Sequence, residues 1–121
     1  MRLRHSAVLL VLLLISCGKE LPTLDGIDTD EWKKDKNACH GARQSMESTL
    51  RREFTKLKGL AEMDVIKLLG RPDQNELYKR NQKFYYYSIS PGPGCGSKDT
   101  TALKLVLRFN AMGYAQLVSI E

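Results

Sequence analysis

The sequence predicts an α+β domain in which two N-terminal helices cover one face of a three- or four-stranded antiparallel meander sheet. Three observations lead to this prediction. Apolar residues recur at spacings of three and four through the middle of the chain, which is typical of amphipathic helices. After Pro72 the pattern changes to strict alternation, which is typical of strands with one buried face. Helical segments that precede strands joined by short turns favour a two-layer arrangement.

The first 16 residues have the composition of a bacterial lipoprotein signal peptide. Arg2 and Arg4 precede an apolar segment at 7–15, which is shorter than the roughly 20 helical residues needed to span a bilayer. It ends in Leu14-Ile15-Ser16-Cys17, the pattern of a lipobox, where the cysteine thiol accepts diacylglycerol and the peptide is cut before it. We therefore expect Cys17 to carry the lipid, including palmitate-type chains that anchor the protein firmly in the cell envelope. The alternative is an ordinary secretory signal that ends near an unrelated cysteine.

The chain that remains after cleavage has the size of one small domain. Of the 121 residues, 105 are left, which we divide into a lipid-anchored tether at 17–27 and a single domain at 28–121. The leader removes two arginines, so the net charge falls from +5 to +3. No basic run is interleaved with aromatic residues, so the sequence argues against a nucleic-acid partner.

Two helices are predicted before the sheet. Asp28 is a suitable N-cap, with Glu31 three residues further on. One amphipathic helix from about residue 29 to 57 would bury a single apolar face, with Gly41 as the point of a kink or break. That face consists of Cys39, Ala42, Met46, Leu50, Phe54 and Leu57. A second helix over 60–69 would end at Gly70, where a left-handed cap belongs, before Pro72.

Four strands are predicted after Pro72. They cover residues 75–78, 83–90, 101–109 and 114–120, and they are separated by a polar turn, a Gly/Pro loop at 91–96 and a hairpin at 110–113. The third strand alternates most clearly, with Leu103, Leu105, Leu107 and Phe109 on one side.

Cys39 and Cys95 remain once Cys17 is lipidated. Because an exported protein folds in an oxidising compartment, this pair predicts a disulfide. Closing a loop of about 57 residues would stabilise the fold by roughly 4 kcal/mol in the chain-entropy treatment. The alternative is a metal site that uses Cys39 with His40, but adjacent ligands without a second pair make a poor tetrahedral site. We expect no metal and no cofactor.

The sequence offers no convincing catalytic constellation. His40 is the sole histidine after the leader, so any Ser–His–acid site would have to use it. The acidic residues at 25–31 are explained by helix capping, and the loop at 91–96 lacks the Gly-Lys-Ser/Thr ending of a phosphate cradle. We expect a protein that is not an enzyme.

The aromatic run at 84–87 is the feature that points to a partner. In a strand, Phe84 and Tyr86 lie on one side, and Tyr85 and Tyr87 lie on the other. We expect Phe84, the least polar of the four, to face the helices, so that Tyr85 and Tyr87 are the outward residues that contact a partner protein. The alternative is that these aromatic side chains pair across strands and only stabilise the sheet.

Residues 59–72 resemble the motif of the SmpA/OmlA (BamE-like) family of outer-membrane lipoproteins. That motif runs Gly, apolar, Ser/Thr, a polar stretch, Val and then Leu-Gly-x-Pro, and a strand rich in Tyr and Phe typically follows. The matching positions here are Gly59, Val65, Leu69, Gly70 and Pro72. Ala61 replaces the capping Ser/Thr, which costs the helix about 1 kcal/mol.

The resemblance covers roughly residues 58–121 and implies both a fold and a role. The fold is a helix–helix–sheet unit that also resembles that of β-lactamase-inhibitory proteins, so it does not by itself determine function. The implied role is that of an outer-membrane lipoprotein, which in some members is a scaffold for barrel assembly. We therefore expect a protein-binding adaptor, with a periplasmic inhibitor or a small-ligand-binding module on the same fold as alternatives.

Overall fold

The computed structural model describes residues 20–121. The predicted signal peptide and the lipidation site Cys17 lie outside the described residues. In the described part, helices precede a four-stranded antiparallel sheet with the strand order β1-β2-β3-β4. The predicted α+β class and the meander order are therefore confirmed.

The helical layer is built from short pieces. Helices α1 to α4 span Thr29–Lys34, Ala42–Ser45, Glu47–Glu53 and Glu62–Leu69, and 3-10 turns occupy Lys36–Ala38 and Phe54–Leu57. Asp28 caps α1 as predicted, because its Oδ1 accepts the backbone N–H groups of Asp30 and Glu31, both at 3.1 Å. The last helix, α4, agrees with the predicted second helix to within two residues at its start.

The prediction of one long helix from 29 to 57 is wrong in its continuity, although the predicted break at Gly41 is present. Asn37 and Ala38 have φ values of 59° and 57°, and Gly41 has a φ of 83°, so the backbone leaves the helical region at two places. The carboxylate of Asp35 accepts the backbone N–H groups of His40 and Arg43, at 2.7 and 3.0 Å. A buried side chain thus satisfies donors that a continuous helix would have bonded to carbonyls, which stabilises the break.

The sheet consists of β1 (Gln74–Tyr78), β2 (Gln82–Ser88), β3 (Lys104–Phe109) and β4 (Ala115–Ile120). All four predicted strands are present, with ends that differ by up to three residues. Each strand pairs with the next in antiparallel register, and a bulge lies between Arg108 and Phe109 of β3.

The core lies between the helices and one face of the sheet. The sheet contributes the side chains that alternate inward along β2 and β3, and the helical layer contributes large apolar residues from α1, α3, α4 and the 3-10 turn at Phe54–Leu57. Fully buried members are Trp32, Leu50, Leu57, Val65, Leu69, Tyr87, Ile89, Leu105, Leu107 and Phe109. The predicted inward alternation of β3 is confirmed.

The predicted disulfide between Cys39 and Cys95 is present, with sulfur atoms 2.01 Å and Cα atoms 5.4 Å apart. Cys39 lies in the turn between α1 and α2, and Cys95 lies in the loop between β2 and β3. The bond therefore attaches the break in the helical layer to the end of the sheet.

Candidate interaction surface

Tyr85 and Tyr87 lie in the core, so the prediction that they face outward is wrong. Only 8% of Tyr85 and 0% of Tyr87 is exposed. Across β2 and β3 they pair with Leu107 and Leu105, and residues directly opposite in an antiparallel pair point to the same face. Both leucines are fully buried, so the tyrosines that pair with them lie on the buried face as well.

A signal for the correct orientation was present in the sequence. Ile89 lies two and four residues after these tyrosines, so alternation places all three on one face, and Ile89 is fully buried. The prediction instead compared the polarity of Phe84 with that of its neighbours. Tyrosine enters a core readily when its hydroxyl finds a partner.

Both buried hydroxyl groups have such a partner. The Tyr85 hydroxyl donates to Glu62 Oε1 at 3.0 Å, and the Tyr87 hydroxyl donates to the carbonyl oxygen of Gly70 at 2.8 Å. Burial, followed by the hydrogen bond to Glu62, raises the pKa of Tyr85 to about 12. Burial also raises the pKa of Tyr87. The Tyr85 ring also packs edge-on against Phe109, with centroids 4.7 Å apart. On this face of the sheet, the alternative of aromatic pairing across strands therefore applies.

The opposite face of the sheet carries a second aromatic cluster, here called the open face. Its members point away from the helices because they alternate with the core residues: Tyr78 of β1, Phe84 and Tyr86 of β2, Val106 of β3 and Leu117 of β4. The Phe84 and Tyr86 rings stack with centroids 6.1 Å apart, and Tyr78 meets Phe84 edge-on at 5.5 Å. Tyr78 is 49% exposed and Leu117 is 50% exposed. A partner could therefore bury substantial apolar area here.

The open face also carries charged side chains. Lys104 Nζ lies 5.7 Å from the centroid of the Tyr86 ring, and Arg108 lies between Phe84 and Leu117 in the register. Within residues 20–121, the buried Nε of Arg108 has no hydrogen-bond partner. The Tyr86 hydroxyl donates to Glu76 Oε2 at 3.0 Å, and burial, followed by this bond, raises the pKa of Tyr86. Glu76 and Glu121 lie near the same hydroxyl, so the face combines aromatic rings with charges of both signs, a composition that suits a protein partner.

A buried ion pair beneath the helical break was missed by the sequence analysis. Arg43 and Asp73 are each 1% exposed at the side chain, and Arg43 Nη1 lies 2.6 Å from Asp73 Oδ2. The same Nη1 donates to the carbonyl oxygen of Ser88, and Nε donates to that of Trp32. One signal was available: Arg43 lies three residues before Met46 and seven before Leu50, on the apolar face of the helical pattern. These bonds use the polar atoms of both side chains. We therefore assign the ion pair a structural role.

The positions that match the family motif have structural roles at the start and end of α4. Gly59 has a φ of 88° and donates its N–H to the carbonyl oxygen of Ala115 at 2.7 Å. Val65 and Leu69 are fully buried, and Gly70 ends the helix with a φ of 78° before Pro72. Ala61 occupies the N-cap position without a side-chain hydrogen bond, as its residue type requires.

Two further properties concern the whole described region. Across residues 20–121, no group of three or more His, Cys, Asp or Glu side chains is arranged to hold a metal ion. In the same part of the chain, no helix has the length and apolarity needed to cross a bilayer.

Comparison with known proteins finds no matching family model, curated protein or solved structure.

Proposed function

We propose that this chain is a bacterial envelope lipoprotein, anchored at the outer membrane through Cys17, that acts as a non-enzymatic protein-binding adaptor. The resemblance of residues 59–72 to the SmpA/OmlA (BamE-like) motif supports a role in outer-membrane protein assembly. The observation that carries the binding role is the open face. There the three aromatic rings lie beside the half-exposed Leu117 and the basic side chains of Lys104 and Arg108. Because Tyr85 and Tyr87 are buried, the proposed partner-binding residues are Tyr78, Phe84 and Tyr86 instead.

The energetics of such a face are consistent with partner binding. Interfaces draw most of their affinity from a few large aromatic or arginine side chains near the centre. Tyr86 and Arg108 hold central positions on the open face, since each lies on an inner strand of the sheet. The half-exposed Tyr78 and Leu117 lie on the two edge strands, where they would form the rim. A partner that covered all four would bury a strip across the sheet in which Arg108 lies among aromatic and aliphatic side chains.

Capture from solubilised envelopes tests this proposal. The full chain, expressed with its own leader, is cross-linked in cells and purified from detergent extracts alongside the variant Tyr78→Ala/Leu117→Ala. Both side chains are about half exposed, so the fold should survive their removal. Met112→Ala is the matched control, because Met112 is 80% exposed in the β3–β4 hairpin and outside the open face.

Barrel-assembly components that are captured by the parent chain and the control, but lost from the open-face variant, are the expected result. Capture of a single periplasmic hydrolase through the same face would instead assign the inhibitor role. Equal capture by all three proteins would show that the open face is not the binding surface.

A further inference from the structure

The two edges of the sheet differ in how they are covered. Beside β4, Gly59 donates its N–H to Ala115 O at 2.7 Å, and Leu60 O accepts the Ala115 N–H at 2.8 Å. Glu62 adds a third bond by donating its N–H to Gly113 O at 3.0 Å. The segment before α4 therefore pairs with the start of this edge, at Ala115, the first residue of β4, and at Gly113 just before it.

The other edge strand, β1, has no such cover. All five of its residues, Gln74–Tyr78, are exposed. Its register pairs it with β2, and within residues 20–121 no other segment forms a backbone ladder with it. An uncovered edge strand presents a row of free N–H and C=O groups, to which another extended chain can add.

A groove runs beside β1 on the helical side of the sheet. It consists of two adjoining cavities of about 220 and 410 Å³, both of which have Asn75 and Tyr85 in their walls. Leu77 lines the smaller cavity, and Met63 and Ile66 of α4 line the larger one. Leu77 is 80% exposed and Met63 is 62% exposed, so large apolar side chains flank the groove without being covered.

The charge around the groove is positive at one end. Lys36 and Arg71 line the larger cavity, near the start of β1, and neither forms an ion pair with another of the described residues. Glu62 contacts two residues of the groove wall, and its carboxylate is already engaged by Lys83 Nζ at 3.0 Å and by the Tyr85 hydroxyl. The uncompensated cations thus favour an acidic group at this end of the groove.

We propose that β1 and its groove bind an extended, acidic-ended segment of a partner protein as a fifth antiparallel strand. Alternate apolar side chains of that segment enter the groove beside Leu77 and Met63. An antiparallel strand runs towards the start of β1, so its acidic residues follow the apolar ones and lie over Lys36 and Arg71. This site is separate from the open face, and it stands whether the protein is an adaptor or an inhibitor.

Peptide binding to the purified full chain tests the backbone pairing. The probe is acetyl-Val-Thr-Val-Thr-Val-Asp-Asp-amide with a fluorescent label, and binding is followed by anisotropy. Two further peptides carry N-methyl groups on alternate residues, one on the odd positions and one on the even positions. In an added strand only every second N–H faces β1, so one methylated peptide should lose about tenfold in affinity and the other should bind nearly unchanged.

Charge reversal tests the orientation. In Lys36→Glu/Arg71→Glu the acidic probe should bind about tenfold more weakly, and a probe that ends in Lys-Lys should gain affinity. Lys98→Glu is the matched control, because Lys98 is exposed in the β2–β3 loop away from the groove. A probe with its two acidic residues at the start should bind the parent chain less well than the original.

Three results would overturn the proposal: absence of probe binding, equal effects of the two methylation patterns, or indifference to the charge reversal. Sedimentation of the full chain tests whether a second copy of the chain binds the β1 edge instead. A concentration-dependent dimer that is lost in Leu77→Lys would assign the β1 edge to a second copy of the chain and would likewise overturn it.

Discussion

Replacing Asp73 by alanine removes the carboxylate that neutralises Arg43 in the interior. The Arg43 side chain is 1% exposed, so water cannot replace the lost partner. Asp73 also accepts the backbone N–H groups of Ser88 and Asn37, at 2.8 and 2.9 Å, and both donors would lose this acceptor. A single substitution therefore disturbs the helical break and the end of β2 together.

The expected cost is large for a domain of this size. Breaking a buried ion pair by removing one partner destabilises a protein by about 3–5 kcal/mol. The total free energy of unfolding of a small domain is only about 5–15 kcal/mol. With a urea m-value of roughly 1–3 kcal/mol per molar, the unfolding midpoint should fall by about 2 M. The disulfide is kept oxidised in all samples so that its contribution does not change.

A double-mutant cycle with Arg43→Met separates the uncompensated charge from the lost contacts. The double variant lacks both charges of the pair, while the nearby buried carboxylate of Asp35 is kept in all four proteins. It should therefore be more stable than the sum of the two single effects predicts, by about 2 kcal/mol. Urea unfolding followed by circular dichroism measures all four proteins. A cost below about 1 kcal/mol for Asp73→Ala, or additivity within about 0.5 kcal/mol, would refute the reasoning.

Three other predictions concern the anchor, the disulfide and alkaline pH. Cys17→Ser should leave the protein unprocessed or release it from the membrane fraction, as measured by fractionation and mass spectrometry. The double variant Cys39→Ser/Cys95→Ser should lose about 4 kcal/mol of stability in urea unfolding, because the loop spans a sequence separation of 56. The pKa of Tyr85 is raised to about 12, so the stability from its neutral hydroxyl is complete below pH 10 and is lost as the pH rises towards 12. Unfolding monitored between pH 9 and 12 should show a shallower loss in Tyr85→Phe.

Each of these has an outcome that contradicts it. Normal processing and membrane retention of Cys17→Ser would remove the lipoprotein assignment. Unchanged stability of the double cysteine variant would show that the loop closure contributes nothing. The same alkaline loss in Tyr85→Phe would assign the effect to another group.

The periodic features of the sequence predicted most of the fold. Alternation at 101–109 identified β3 and its inward face, and Pro72 marked the change from helix to strand. Asp28 was recognisable as a cap because capping depends on residues two or three positions apart. The cysteine pair could be predicted because its argument needs only the number of cysteines and the compartment, and no distance.

The features that sequence analysis missed depend on contacts between distant residues. The helix break needs the buried Asp35 and Asp73, and Asp73 lies 36 positions from the Asn37 N–H that it accepts. A helical pattern records only neighbours three and four positions apart, so the sequence marked the break at Gly41 but not the one at Asn37 and Ala38. The orientation of Tyr85 and Tyr87 follows from their pairing with β3, which becomes visible once the register is known.

The sequence by itself determined the α+β order, the approximate strand positions and the cysteine pair, because each follows from local periodicity, spacing or composition. The lipobox at 14–17 remains a prediction from the same kind of local pattern. Tertiary structure decided which aromatic residues are buried, how the sheet edges are covered and that the helical layer also breaks at Asn37 and Ala38. These outcomes depend on a competition for burial and hydrogen bonds between segments far apart in the chain. The open face and the β1 groove are the surfaces that remain exposed after this competition. For that reason the candidate binding surfaces could be identified only from the tertiary structure.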